Sequence, residues 1–205
     1  IEAGDMKNLA WMLHPFGTDT KPNMDFTRQQ SLLQIAEAEG KDPVEVYVER
    51  LLASEGKEFF NFWMFGGNLE NQWKYMQLPH VVPMLGDAGA HVGFFTDTDS
   101  PTVLLSELTR EQGVYTLPEA VHRITGKSAE IIGLKERGQL RKGWHADINI
   151  IDYENLSSCH PEYVNDFPHG GGRFIVKGKG YDATIVAGQV IIKNGKHTGN
   201  RPGQF

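Results

Sequence analysis

A single cysteine, Cys159, stands among 205 residues. That excludes an intrachain disulfide framework and suits a reducing compartment. Long apolar runs are missing as well: none approaches the ~20 residues needed to span a bilayer, and no signal-peptide pattern opens the chain. Clustered cations are also absent. Lys and Arg number 20 against 26 Asp and Glu, a net charge of -6, so the basic surface that phosphate recognition needs has no counterpart here. No H-x-H, H-x-x-x-H or C-x-x-C spacing occurs, and no self-contained zinc site can be read from the chain. These absences predict a soluble, cytoplasmic protein with no nucleic-acid partner and no membrane partner.

What is present suits a packed core. Apolar residues make up 40% of the chain, with four Trp and eleven Phe, a composition that argues against disorder. The chain begins at Ile1 rather than Met. Its opening "IEAGDMKNLAWMLHPFGTDT" shows neither cap nor periodic element, so the expectation is a piece of a longer protein.

Between Thr27 and Leu134 the pattern alternates. "TRQQSLLQIAEAEG" predicts a helix capped by Thr27 with Gln30 and stopped by Gly40, and "DPVEVYVERLLASEG" one capped by Asp42 with Pro43 in its first turn. "FFNFWMF", Phe59 to Phe65, predicts a fully buried strand. "NLENQWKYMQL" predicts a helix and "HVVPMLGDAG" a second buried strand. Two further helices follow, one capped by Ser100 and one by Thr116 with Glu119. Helices placed between strands are the grammar of parallel βα units.

From Gly138 onward short β-rich runs take over, punctuated by Ala187-Gly188 and Asn194-Gly195, and they predict an antiparallel unit. Ser157 to Arg173, rich in Pro and Gly, predicts a long surface loop.

The stretch "MLGDAGAHVG", Met84 to Gly93, carries the candidate chemistry. An apolar run breaks into a carboxylate, Asp87, among small residues that leave room for a ligand near the backbone. Just past a strand's C-terminal end is where a parallel βα architecture lines its active face. Asp87 could equally cap a turn. His91, four residues on, is a candidate substrate-binding residue or a hydrogen-bonded histidine fixing the loop. Cys159, His160 and His169 share one region and could meet around a metal or stand as solvated surface.

Three ordered motifs carry a family resemblance: "LGDAGAHVG" (Leu85 to Gly93), "LPEAVHRITGKSAEIIGLKERGQLRKGWHADINIID" (Leu117 to Asp152) and "IVAGQVIIKNGKHTGNRPG" (Ile185 to Gly203). Together they resemble the C-terminal part of the metal-dependent amidohydrolase superfamily, in its N-acyl-D-amino-acid deacylase (D-aminoacylase-like) branch. The resemblance implies an α/β fold: the closing part of a TIM-like (β/α)8 barrel over 1–137, with strands 7 and 8, then antiparallel strands of a β-sandwich over 138–205.

It further implies that Asp87 ends the eighth strand, contacts a catalytic metal and handles the proton of the attacking water. The cofactor implied is zinc, one or two divalent ions in the complete enzyme. The substrate implied is a small N-acylated amino acid or related amide. The family's earlier metal ligands lie upstream of anything present here, so the chain alone is expected to be inactive. A non-catalytic module that oligomerises or binds without turnover is the alternative.

In D-aminoacylases an arginine soon after the aspartate grips the substrate carboxylate, whereas "HVGFFTDTDSPT" has neither Arg nor Lys. Arg110 or Arg123 could reach the site in principle, but both fall within predicted helices and are expected to face solvent. A partial barrel exposes strand edges and apolar faces, so a homo-oligomer is expected.

Overall fold

A computed structural model of the chain describes residues 3–18, 30–63, 69–83, 86, 89–93 and 97–204. The chain forms two compact units, Ile1–Lys74 and Tyr75–Phe205.

The first unit holds α1 (Ala3–Leu9), β1 (Leu13–Gly17), α2 (Leu32–Glu39), α3 (Pro43–Ala53) and β2 (Phe59–Phe62). The opening stretch, expected to carry no periodic element, thus contributes a helix and a strand. β1 pairs antiparallel with β2, Leu13 opposite Phe62 and Pro15 opposite Phe60, with a bulge between Pro15 and Gly17. Residues Phe59–Asn61 are half-buried and Phe62 is 39% exposed, so this strand is not the fully buried element expected. Its described partner is "LHPFG", where Pro15 interrupts the alternation that marks a strand in sequence.

The helix expected from Thr27 with Gln30 is α2. Thr27 lies outside the described residues, and the described helix is capped by Ser31. The Ser31 amide donates to Gln34 Oε1 at 2.8 Å, and the Gln34 amide donates to Ser31 Oγ at 3.2 Å, the reciprocal pair that defines a capping box. Ser31 wins on position, because buried Leu32 follows it directly. The helix stops as predicted at Gly40, whose φ of 67° is left-handed. α3 starts as predicted, with Val44 N donating to the Asp42 carboxylate at 2.9 Å and Pro43 at the first turn. Met6, Ala10, Leu13, Leu32, Ala36 and Val46 form this unit's core.

α4 (Leu69–Met76) forms as predicted. Beyond it, Val81–Pro83 carry no regular structure. The remainder of the expected strand, Met84 and Leu85, lies outside the described residues. The helix predicted from Ser100 becomes a 3-10 turn (Asp97–Asp99), a short α5 (Ser100–Val103) and a π-helix over Leu104–Glu111. Asp99, not Ser100, takes the cap position and makes no side-chain cap bond, because its carboxylate accepts from the Ser158 hydroxyl instead. The Thr109 hydroxyl donates to the Leu104 carbonyl at 2.7 Å, a bond that suits the wider turn.

α6 (Leu117–Ile124) begins at Thr116 without the expected capping box. Glu119 accepts from Arg123 at 3.0 Å rather than turning back to the helix start. α7 (Gly126–Ile131), not anticipated from sequence, follows at once. Gly138 packs so closely that a Cβ there would stand 2.8 Å from the Thr125 carbonyl oxygen. Its φ of +79° also favours glycine.

The C-terminal strands are β3 (Ile148–Ile151), β4 (Ser157–Ser158), β5 (Glu162–Val164), β6 (Arg173–Ile175), β7 (Gly178–Lys179), β8 (Tyr181–Val186), β9 (Gln189–Lys193) and β10 (Lys196–His197). Four of them form a sheet in the order β10-β9-β8-β3, and β4 pairs with β7 and β5 with β6. Every one of these described pairs is antiparallel, as expected for this tail. Ala187-Gly188 and Asn194-Gly195 have positive φ at both positions, which two-residue type I′ hairpins require.

Ser157 to Arg173, expected as a surface loop, instead contains β4, β5 and a 3-10 turn at Pro168–Gly170, and ends where β6 begins. Its Pro and Gly residues mark turns between very short strands.

Leu104, Leu105, Tyr115, Ala120 and Leu156 form the second unit's core, with Met76, Ile151, Tyr153 and Tyr181 packed against them. Elements on both sides of Gly138 therefore share one core. The described residues make a mixed α/β structure, and none of their helices is long and apolar enough to cross a membrane.

Candidate functional site

Asp87 lies outside the described residues; the described stretches around it that bond to other elements are Met76–Val81 before it and Val92 after it. On the upstream side, Met76–Val81 is gripped by groups from α6, α7 and the turn before them. Arg123, only 6% exposed, donates through Nη1 to the carbonyls of Met76 (2.9 Å), Leu78 (3.1 Å) and Val81 (2.7 Å). Its Nη2 donates to the Gln77 carbonyl at 2.9 Å. The Tyr115 hydroxyl adds a bond to the Met76 carbonyl at 2.7 Å, Gln77 Nε2 donates to the Val114 carbonyl at 2.9 Å, and Lys127 Nζ donates to the Pro79 carbonyl.

Arg123 was expected to face solvent. It is buried because it sits three residues after Ala120, which is fully buried, on the same helix face. The signal was present in the sequence: an arginine in phase with an apolar position and a glutamate four residues before it, in ion-pair register. The guanidinium carbon stands 4.9 Å from the Tyr115 ring centroid, within reach of a cation–π contact. Burial raises the Tyr115 phenol above its ordinary pKa, with the Arg123 charge pulling the other way, so it stays a donor at neutral pH.

On the downstream side, Gly89 and His91 have φ of 91° and 49°. A left-handed histidine is uncommon and marks a tight turn. His91 is exposed. The Val92 carbonyl accepts from the Phe174 amide of β6 at 2.8 Å. Further on, Ser158 donates to Asp99, and the Thr102 and Tyr181 hydroxyls lie 2.7 Å apart.

Arg110, also expected to face solvent, reaches back to the Tyr153 carbonyl at 2.5 Å and pairs with Glu111. Cys159 and His160 are half-buried, with the Cys159 amide bonded to the Lys177 carbonyl and His160 Nδ1 3.0 Å from the Pro161 carbonyl. His169 is exposed at a left-handed φ of 61°. Among the described residues no three His, Cys, Asp or Glu side chains come together to hold a metal ion, so these residues do not by themselves fit a zinc site.

A model of the amidohydrolase family matches residues 25–192, a span that includes Asp87. The N-acyl-D-aspartate deacylase of Alcaligenes xylosoxydans xylosoxydans is 43% identical over 56 residues, 27% of this chain and 11% of that protein. The dihydroorotase of Lactobacillus acidophilus is 29% identical over 114 residues, 54% of this chain and 26% of that protein.

The N-acyl-D-glutamate deacylase of Bordetella bronchiseptica, solved with zinc and a phosphonate inhibitor, aligns at a TM-score of 0.48 and 22% identity. That alignment covers 93% of this chain and 36% of that one. The chain thus spans well under half the length of these relatives. With a family model matching across most of its residues, the chain belongs to the amidohydrolase family.

Proposed function

We propose that the full-length protein hydrolyses a non-peptide C-N amide bond of a small molecule, an N-acylated amino acid in the first instance, and that Asp87 is its proton-handling carboxylate. The observation that carries this is the family match over 25–192, which spans "LGDAGAHVG". The deacylase relative supports the choice of substrate class. In such a reaction a carboxylate takes a proton from the attacking water and returns it to the departing nitrogen, which otherwise leaves as a poor anionic group. His91, four residues on in sequence, is proposed as a substrate-binding residue.

Residues 1–137 are proposed to supply the closing part of a (β/α)8 barrel and 138–205 a portion of a β-sandwich. Zinc, which lowers the pKa of bound water and polarises a carbonyl, is the proposed cofactor of the complete enzyme. Since the described residues lack a three-ligand set, Asp87 is proposed as one ligand among donors from elsewhere in that enzyme.

Asp87→Asn in the full-length protein is expected to abolish turnover of N-acyl amino acids while leaving the melting temperature unchanged. Full activity in that variant would sink the assignment. The competing proposal, a module that binds without turnover, is favoured by the missing H-x-H spacing. Stoichiometric zinc binding together with N-acyl amino acid hydrolysis by the 205-residue chain alone would eliminate it.

A further inference from the structure

Arg123 is more than a buried ion pair. A guanidinium has five N-H donors in a fixed plane. All are engaged here: Nε with Glu119 Oε1 at 3.2 Å, Nη2 with Glu119 and the Gln77 carbonyl, and Nη1 shared among the Met76, Leu78 and Val81 carbonyls. A side chain so occupied has no donor left for a substrate carboxylate. Its partners are four backbone carbonyls within one short stretch of chain, the end of α4 and the turn after it. Glu119 and the Tyr115 ring hold the guanidinium plane itself.

From this arrangement we infer that Arg123 is a positioning residue: it fixes Met76–Val81 and thereby sets the point from which the chain departs toward Asp87, six residues on. This rests on the proposed role of Asp87. The far side of the motif is tethered independently by the Phe174 amide on the Val92 carbonyl. Val81 and Val92 are thus each held by a described bond, and releasing Arg123 frees the Met76–Val81 carbonyls. Lysine can keep the charge but cannot present a planar fork to carbonyls spread over several residues. An exposed helix-end cation would matter little, whereas this one is buried and its bonds are charge-assisted.

The test compares wild type with Arg123→Lys and Arg123→Gln in the full-length protein, by hydrogen exchange and by hydrolysis of an N-acyl amino acid. Arg123→Lys is the more conservative change and keeps the comparison available if Arg123→Gln fails to fold. The amides of Leu78 and Val81, bonded to the Tyr75 and Leu78 carbonyls, are expected to exchange about tenfold faster or more, while those of β8 and β9 are unchanged. In the same variants kcat is expected to fall about tenfold or more with KM within about twofold.

Unchanged exchange at Leu78 and Val81 would overturn the clamp. Faster exchange with unchanged kcat would overturn its positioning role, leaving only a helix cap. A wild-type protein without any amide hydrolysis would instead remove the proposed function, and the catalytic half of this inference with it, while the exchange result would still decide whether Arg123 orders the segment.

Discussion

The two units hold themselves together by different means. In Ile1–Lys74 the core is aliphatic, with Met6, Ala10, Leu13, Leu32, Ala36 and Val46 closing on one another, and its described buried polar groups are fewer: His14, Ser31 and the Glu58 carboxylate paired with Arg50. In Tyr75–Phe205 a comparable apolar core is threaded by buried polar groups: Arg123, Thr102, Ser106, Thr109 and Ser158. Apolar packing is non-directional and tolerates rearrangement. Buried hydrogen bonds fix one geometry and penalise every other. The unit carrying the Asp87 motif is the one built on direction.

The largest expected effects test the similarity of the two units. Leu32→Ala and Leu156→Ala each empty a site that is 0% exposed. Each is expected to cost ~2–5 kcal/mol, read from chemical denaturation of the full-length protein. A marked inequality would show that one core collapses around the gap and the other does not.

Gly138→Ala probes the second unit alone. The new Cβ meets the Thr125 carbonyl at 2.8 Å under a positive φ. A loss of about 1–3 kcal/mol is expected. Neutral stability in that variant would mean the chain there is free to move. Ser31→Ala is the counterpart in the first unit, removing one half of a capping box. Its cost of about 1 kcal/mol is measurable as a shift in denaturation midpoint.

The smallest effect is one of pH. His14 is 5% exposed, stacked on Trp63 with ring centroids 3.9 Å apart. Burial lowers its pKa below the ordinary 6.5, against an opposing bond to the Met12 carbonyl. Below that ordinary value the unfolded chain therefore binds more protons than the folded one. Stability contributed by this site is complete above about pH 6.5 and declines as pH falls through the depressed value. Denaturation at a series of pH values checks this, and His14→Gln should remove that part of the acid sensitivity.

The difference between the units also explains what was legible in advance. Helix stops and hairpins written in local chemistry were readable: Gly40 ends α2, Pro43 opens α3, and Asn194-Gly195 turns β9 into β10. Where a side chain chose another partner over the helix start, local rules failed. Asp99 took the cap position expected of Ser100 and turned to Ser158, and Glu119 bonded Arg123 instead of closing the box expected with Thr116.

β1 escaped notice because Pro15 breaks its alternation, and β4 and β5 because two or three residues are too few to show any. Of the site, the motif and its family were legible from residue order. The clamp around Met76–Val81 was not, since four of Arg123's acceptors are backbone oxygens and every residue type has one.

The paired hairpin turns bear on the order of events during folding. Type I′ turns at Ala187-Gly188 and Asn194-Gly195 bring β8, β9 and β10 together across two-residue loops, a closure on the order of microseconds. β3 joins that ribbon only through pairs such as Ile148 with Ile185, across a much longer stretch of chain that must first be brought back. The ribbon is therefore expected to exist in the transition state while β3 docks late. Substitutions within β8 and β9 should slow refolding, whereas substitutions in β3 should mainly hasten unfolding.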